Sequence, residues 1–305
     1  MPLPMDPLFP ETLDPAAMAF LNGRWTPLGQ AQVSVLDRGF LLGDGIYEVV
    51  PVYQRRPFRW AAHYARMQRS LASLQITPAL SEHDWTEIIH RLVASQSFED
   101  QLVYLQVTRG VAKRDHAFPS PPVPATVFAM ASPMRRPSEA ERTQGIAAIT
   151  LADERWMRCD IKTIALVGNV LARQAAVAEG AQEAILFRSG WLTEGAACNI
   201  WLAIDGRLVG SRKTSLVLQG IRYDLFEELC AEAGLGFSLE DVSREAFDQA
   251  DEVMISSATK EVLPVTRIDG RPIAGGAPGP VYQRLRAAYD RRLAALLNEE
   301  APAAL

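Results

Sequence analysis

The sequence predicts an α+β protein in two domains. Strand-like alternation and helical periodicity come in blocks rather than in strict turn, which favours segregated sheets and helices over a doubly wound parallel sheet. A stretch rich in proline and charge interrupts the pattern near the middle. The chain's 305 residues, 48% of them hydrophobic, suffice for two cores, because compact units run about 100–200 residues each.

The first residues, "MPLPMDPLFPETLDPAA" (1–17), predict an irregular extension, since each proline removes a donor and biases its predecessor away from helix. They lack the basic start and apolar run of a secretory signal. "MAFLNGRWTPL" (18–28) sets an Asn-Gly pair between two β-prone runs, a strong hairpin signal, and "AQVSVLDRG" (31–39) alternates like a further strand, so the chain opens as a β-meander. "WAAHYARMQRSLASLQ" (60–75) has helical spacing, and "SEHDWTEIIHRLVASQ" (81–96) opens with Ser81 and Asp84 in capping-box register. "QLVYLQVTRG" (101–110) and "PATVFAMAS" (124–132) are strands that complete an N-terminal domain over 18–132. "PMRRPSEAERTQG" (133–145) is the expected linker.

Over 146–305, "GIAAITLAD" is a strand and "NVLARQAAVAEG" a helix closed by Gly180. "EAILFRSGWLTEG" and "CNIWLAIDGRLVG" are hairpins, and "GIRYDLFEELCAEAG" is an amphipathic helix ended by Gly234. "DEVMISSAT" and "VLPVTRIDG" are strands. "PVYQRLRAAYDRRLAALLNEE" (280–300) is a terminal helix whose arginines form a solvated face.

A net charge of −5 and a pI near 5.5, with arginines scattered, give no electrostatic reason to expect nucleic acid as a partner. No stretch approaches the roughly 18 apolar residues of a membrane span. Three cysteines (Cys159, Cys198, Cys230), odd in number and without CxxC spacing, argue against a disulfide framework or a structural zinc site and fit a reducing compartment. These features describe a cytoplasmic protein that acts on small molecules without a metal.

Only four of the 31 basic residues are lysines, at 113, 162, 213 and 260. Lys162 lies in "RWMRCDIKTIALVGNVLARQ" (155–174), before the apolar run Ile164-Ala165-Leu166-Val167. It reads either as an ion-pair partner of Asp160, two residues earlier on the same face of an extended segment, or as an amine kept because it can lose a proton and attack a carbonyl.

The stretches "DRGFLLGDGIYEVV", "TRGVAKRDHAFP", "RWMRCDIKTIALVGNVLA", "LTEGAACNIW" and "SSATKEVLPVTRIDG", in that order and spacing, resemble the fold type IV pyridoxal phosphate enzymes, the D-amino-acid aminotransferases above all. The resemblance spans nearly all of residues 18–297. It implies a small N-terminal α+β domain, a large domain with a mixed, barrel-like sheet, and pyridoxal 5'-phosphate as cofactor. By resemblance, Lys162 is the amine that joins the cofactor aldehyde and then moves the proton between Cα and the cofactor, and Glu194 is the carboxylate that keeps the pyridine nitrogen protonated.

The matched phosphate cradle comprises Arg66, the helix start at Gly220 and Ile221, and Ser257, Ala258 and Thr259. Threonine is common in the family where this chain has Arg222 and often where it has Ala258. Either the Arg222 guanidinium or the Thr259 hydroxyl is left to replace the missing donors.

The cofactor apparatus does not separate D-amino-acid transaminases from branched-chain L-amino-acid transaminases, R-selective amine transaminases or aminodeoxychorismate lyase, which share it. The group that holds the substrate carboxylate does. Arg114 and His116 of "KRDHAFP", with Tyr47 of "GDGIYE", match the carboxylate trap of the D-amino-acid enzymes, where the arginine and histidine come from the neighbouring subunit. The resemblance thus implies a homodimer working on amino acids and 2-oxo acids. A cofactor-binding protein without turnover is the reading from another class, and intact Lys162 and Glu194 oppose it.

Overall fold

The computed structural model describes residues 13–77 and 80–298. Residues 1–12 of the expected irregular extension lie outside these; residues 13–17 form turns. The chain divides into two compact units. One holds the described residues up to Met134 together with Lys162–Ala165, and the other holds Arg135–Ile161 and the described residues from Leu166 onward.

The first unit comprises β1 (Met18–Leu21), β2 (Arg24–Pro27), α1 (Arg38–Leu42), β3 (Gly45–Tyr53), β4 (Arg56–Pro57), α2 (Trp60–Ser73), α3 (Glu82–Ser95), β5 (Gln101–Thr108) and β6 (Thr126–Pro133). The strands form one sheet in the order β2-β1-β6-β5-β3-β4, antiparallel throughout. Asn22 and Gly23 close the β1–β2 hairpin with φ of 49° and 81°, the left-handed pair that a two-residue turn requires and that Asn-Gly supplies with little strain.

Alternation along the strands sorts side chains to two faces. Ile46, Glu48, Val50 and Val52 of β3, with Val103, Leu105 and Val107 of β5, are buried on the face that α2 and α3 cover. Tyr47, Tyr104 and Phe128 fall on the other face and pack in sequence, with ring centroids 5.8 and 6.4 Å apart. Ser81 and Asp84 form the expected capping box of α3.

Residues 31–37, expected as a strand, are irregular. Their alternation buries no apolar side chain, since Val33, Val35 and Leu36 are all exposed, and the buried Asp37 instead caps α1 by accepting from Gly39 N at 2.7 Å.

The second unit comprises α4 (Glu139–Thr143), β7 (Ile146–Ala152), α5 (Val167–Ala178), β8 (Glu183–Arg188), β9 (Trp191–Gly195), β10 (Asn199–Ile204), β11 (Arg207–Ser211), α6 (Arg222–Ala233), β12 (Gly236–Glu240), α7 (Arg244–Asp248), β13 (Glu252–Ser257), β14 (Glu261–Ile268), β15 (Arg271–Pro272) and α8 (Pro280–Asn298). The sheet runs β12-β11-β10-β13-β14-β7-β8-β9, with β15 on β14, and is mixed: β11–β12, β14–β7 and β7–β8 are parallel.

β9 ends this path, yet residues 196–198 alone join it to β10, five strands away. In a flat sheet the two would lie about 24 Å apart at ~4.8 Å per strand, beyond the ~14 Å that the connection spans. The sheet therefore curls into a half-barrel. Ile185, Ile200, Leu202, Ile255, Leu263 and Val265 belong to its apolar core. Trp201 packs at a tilt against Tyr223 and Phe226 of α6, with ring centroids 4.8 and 4.9 Å away.

The expected linker holds the short helix α4, capped by Ser138 and Glu141. Gly180, at φ 71°, lies one residue past the C-cap Glu179 rather than at it. The arginines of α8 do not all face solvent. Arg286 is buried because it pairs with Glu261 at 2.7 Å and with Asp290 one turn on. Glu252 accepts from Val281 N and Tyr282 N at 2.8 and 2.9 Å, which anchors the start of α8. Among the described residues, no helix is long and apolar enough to cross a membrane.

Candidate active site

In the first unit, Lys162–Ala165 docks on the start of β3. Tyr47 N donates to Lys162 O at 3.0 Å, Ile164 N donates to Gly45 O at 3.1 Å, and Lys162 N donates to Ser70 Oγ of α2 at 3.2 Å. Gly45 permits this approach: a Cβ there would lie 2.7 Å from Val107 O and 3.0 Å from Ile164. Lys162 is half-buried, and its Nζ stands 4.1 Å from the Tyr47 ring centroid, within cation–π range. Asp160, the alternative ion-pair partner, binds Arg158 at 3.0 and 3.1 Å.

Arg66 of α2 reaches Glu48 through Nε at 2.7 Å and Nη2 at 2.8 Å, and His63 Nδ1 meets the same carboxylate at 2.8 Å. Burial pushes the Glu48 carboxyl up, but Arg66 and His63 outweigh it and hold the group well below the usual carboxylate range.

Arg114 and His116 are exposed on the loop after β5. The Asp115 carboxylate turns back on its own backbone, accepting from Ala117 N at 3.2 Å.

In the second unit, Glu194 of β9 is buried and its oxygens are separately occupied. Oε1 accepts from Arg155 Nη1; Oε2 accepts from Asn199 Nδ2 and Leu218 N, each at 3.1 Å. Burial pushes its carboxyl up to about 7, against the pull of Arg155. Arg155 in turn grips Asp153, whose carboxyl it brings down to about 2 despite burial.

Asn199 connects this carboxylate to the start of α6. Besides Glu194 it donates to Leu218 O at 2.9 Å, and its Oδ1 would lie 2.1 Å from a Cβ at Gly220, so only glycine fits there. Gly220 and Ile221 immediately precede α6, where the first-turn N–H groups present an anion-binding end. Arg222 is buried, its Nη2 donating to Tyr289 Oη at 3.1 Å and to Ala258 O at 3.4 Å. Ser257 and Thr259 bring their hydroxyls within 3.4 Å of each other at the turn after β13.

The donor set fits pyridoxal 5'-phosphate. The first unit offers a half-buried amine of the kind that an aldehyde needs; the second, taken by itself, offers a buried acid and a helix start with two hydroxyls, of the kinds that a ring nitrogen and a phosphate need. Asn199 ties that acid to that helix start.

Sequence reasoning missed the buried partners: Arg155, Asp153 and Asn199 around Glu194, and Glu48 and His63 around Arg66. Glu48 carried a signal, since an acid in the face formed by Ile46, Val50 and Val52 demands a buried counter-charge.

The sequence model of the family described as amino-transferase class IV matches residues 45–268. D-alanine aminotransferase of Bacillus licheniformis is 39% identical over 272 residues, 89% of this chain and 95% of that protein; the one of Staphylococcus haemolyticus is 35% identical over 272 residues, 89% and 96%. Among solved structures, a T.th. branched-chain amino acid aminotransferase with pyridoxamine 5'-phosphate is similar at a TM-score of 0.86 and 27% identity, covering 93% of this chain and 96% of that one. The Escherichia coli branched-chain amino acid aminotransferase shares the fold at a TM-score of 0.84 and 24% identity, over 90% and 94%.

Proposed function

The chain belongs to the class IV aminotransferases, and we propose that it moves the amino group of D-amino acids, such as D-alanine or D-glutamate, to 2-oxo acids as a homodimer. It is an enzyme that uses pyridoxal 5'-phosphate. The observation that carries the reading is the 35–39% identity to D-alanine aminotransferases over 89% of the chain; Lys162, half-buried with its Nζ 4.1 Å from the Tyr47 ring centroid, supports the transaminase chemistry.

The bound cofactor supplies an aldehyde that receives the amino group and a ring that takes up the electron pair released at Cα. Lys162 would hold the cofactor through its Nζ and would carry the proton to and from the substrate Cα. Glu194 keeps the ring nitrogen protonated. Arg66, with two nitrogens committed to Glu48, would offer its remaining one to the phosphate. The α6 start and the Ser257 and Thr259 hydroxyls complete that grip. Arg222, with contacts to Tyr289 and the Ala258 carbonyl, braces the turn.

Tyr47, Arg114 and His116 hold the substrate carboxylate. The latter two act from the neighbouring subunit, which their exposure on the loop suits. Around that loop Val35, Phe40, Val111 and Phe118 are exposed apolar residues, a surface of the kind that a second copy covers. Three buried free cysteines suit the reducing cytoplasm.

A donor screen tests the assignment, using both enantiomers of alanine, glutamate, leucine and 1-phenylethylamine against pyruvate and 2-oxoglutarate. D-Alanine or D-glutamate should lead. Faster turnover of L-leucine would place the enzyme with the branched-chain transaminases.

A further inference from the structure

We propose that Arg38 and Arg109, joined on the carboxylate of Asp44, are positioning residues that hold the loop of Arg114 and His116 in shape to receive the substrate carboxylate. The inference rests on reading Arg114 and His116 as the groups that grip that carboxylate.

Arg38 is a buried arginine at the start of α1. Its Nε donates to Asp44 Oδ2 at 2.8 Å. Its Nη1 donates to Asp115 O at 2.6 Å and to Ala117 O at 3.2 Å, and its Nη2 meets His116 O at 3.5 Å. One guanidinium thus collects the carbonyls of three successive loop residues, drawing the backbone inward while the Arg114 and His116 side chains stay exposed.

Arg109, at the root of the same loop, donates to Asp44 from Nε at 2.7 Å and from Nη2 at 3.0 Å. Its other contacts are Leu74 O at 2.7 Å and Gln75 O at 3.2 Å, at the end of α2. Its guanidinium carbon lies 3.6 Å from the Phe118 ring centroid, which clamps the far side of the loop.

Asp44 is therefore a hinge pin between two arginines, and it directly precedes β3, the strand that carries Tyr47. Arginine suits both places because a planar fork serves several acceptors in fixed directions. A loop that presents two donors to one carboxylate must fix their spacing, and Arg38 takes the carbonyls of His116 and of the residues on either side of it. None of the three residues is among those assigned to substrate or cofactor, so they act only through Arg114 and His116.

The test uses holoenzyme and follows the donor half-reaction in single turnovers. This removes the 2-oxo acid, which carries a carboxylate of its own, and detects even a slow donor. Arg38→Met, Arg38→Lys, Asp44→Asn and Arg114→Ala are compared with D-alanine and with (R)-1-phenylethylamine, which lacks a carboxylate.

Arg38→Met should raise the half-saturating D-alanine concentration by about ten- to a hundredfold, the scale of a misplaced binding group. Its limiting rate, and half-saturation by the amine, should change less than about twofold. Arg38→Lys should recover part of the loss. If Arg38→Met does not fold, Asp44→Asn carries the same expectation, since it removes the pin while keeping its shape.

Equal losses with both donors, or no loss with D-alanine while Arg114→Ala is impaired, would overturn the positioning role alone. An unimpaired Arg114→Ala would overturn the carboxylate reading beneath it and this inference with it.

Discussion

Arg155 links two buried carboxylates: its Nη1 donates to Glu194 while Nε and Nη2 hold Asp153, each at 2.9 Å. The Thr193 hydroxyl, beside Glu194 in sequence, also donates to Asp153, at 2.8 Å. Burial favours a protonated Glu194 and Arg155 opposes it, favouring the carboxylate that the proposed contact with the ring nitrogen requires. Arg155→Met should lower kcat/KM at neutral pH at least tenfold and move the lower limb of the pH–rate profile upward, because removing a charge partner of this kind shifts a carboxyl by about 1–3 units. Arg155→Lys should restore part of the neutral activity. An unshifted profile in the methionine variant would show that the pair serves only the fold.

Glu194 itself gives a stability effect of unusual sign. Its folded carboxyl sits near 7, above the unfolded 4.5, so the folded cofactor-free protein binds the extra proton between those values. The stabilisation is present in full below about pH 4.5 and is lost as pH rises through about 7. Glu194→Gln, which cannot titrate, should flatten that part of the slope of Tm against pH in cofactor-free protein. The loaded variant should still bind cofactor but lose on the order of a hundred- to a thousandfold in kcat, the usual weight of one preorganised electrostatic contact. Near-normal kcat would reduce Glu194 to a strand residue.

Lys162→Ala should abolish both the covalent attachment of cofactor and turnover, since arginine cannot substitute for an amine at neutral pH. Borohydride reduction followed by peptide mapping should put the label on Lys162. A label on Lys113, Lys213 or Lys260 would move the assignment.

Glu48 is wholly buried between Arg66 and His63. Glu48→Gln strands the Arg66 charge, and breaking a buried pair this way costs about 3–5 kcal/mol. Denaturant unfolding should register the loss, and cofactor affinity should fall with it if Arg66 reaches the phosphate. A variant as stable as the parent would mean that Arg66 finds another partner.

What the sequence made legible was local or paired with a motif. Asn22-Gly23 fixes its hairpin by its own backbone preference, and Ser81 with Asp84 caps α3 across three residues. The same local reading misplaced a strand at 31–39, because alternation implies a strand only where a neighbouring strand waits to pair. Lys162 stood out because the chain otherwise prefers arginine. Arg155 did not, although it lies in the same stretch: its value comes from Glu194, 39 residues away, and no periodicity connects them. Likewise Arg38 meets Asp115 and Ala117 across 77 and 79 residues, contacts that exist only once the sheet has assembled.

The proposed dimer with shared sites is open to complementation. Arg114→Ala should raise KM for D-alanine and D-glutamate strongly while leaving the cofactor spectrum intact, since losing a charged hydrogen bond to a carboxylate costs about 1.5–3 kcal/mol. An R-amine without a carboxylate should be far less affected. If Arg114 serves the neighbouring subunit, Arg114→Ala and Lys162→Ala fall in the same site of a hybrid dimer: one site then carries both lesions and the other neither. Mixing the two inactive or weakened proteins under conditions of subunit exchange should therefore recover up to about half of the activity per hybrid. If Arg114 serves its own subunit, each hybrid site keeps one lesion and nothing is recovered. Exchange can be followed independently by mass-tagged subunits, so an unchanged rate after demonstrated exchange would remove the shared site and leave Arg114 to act in cis.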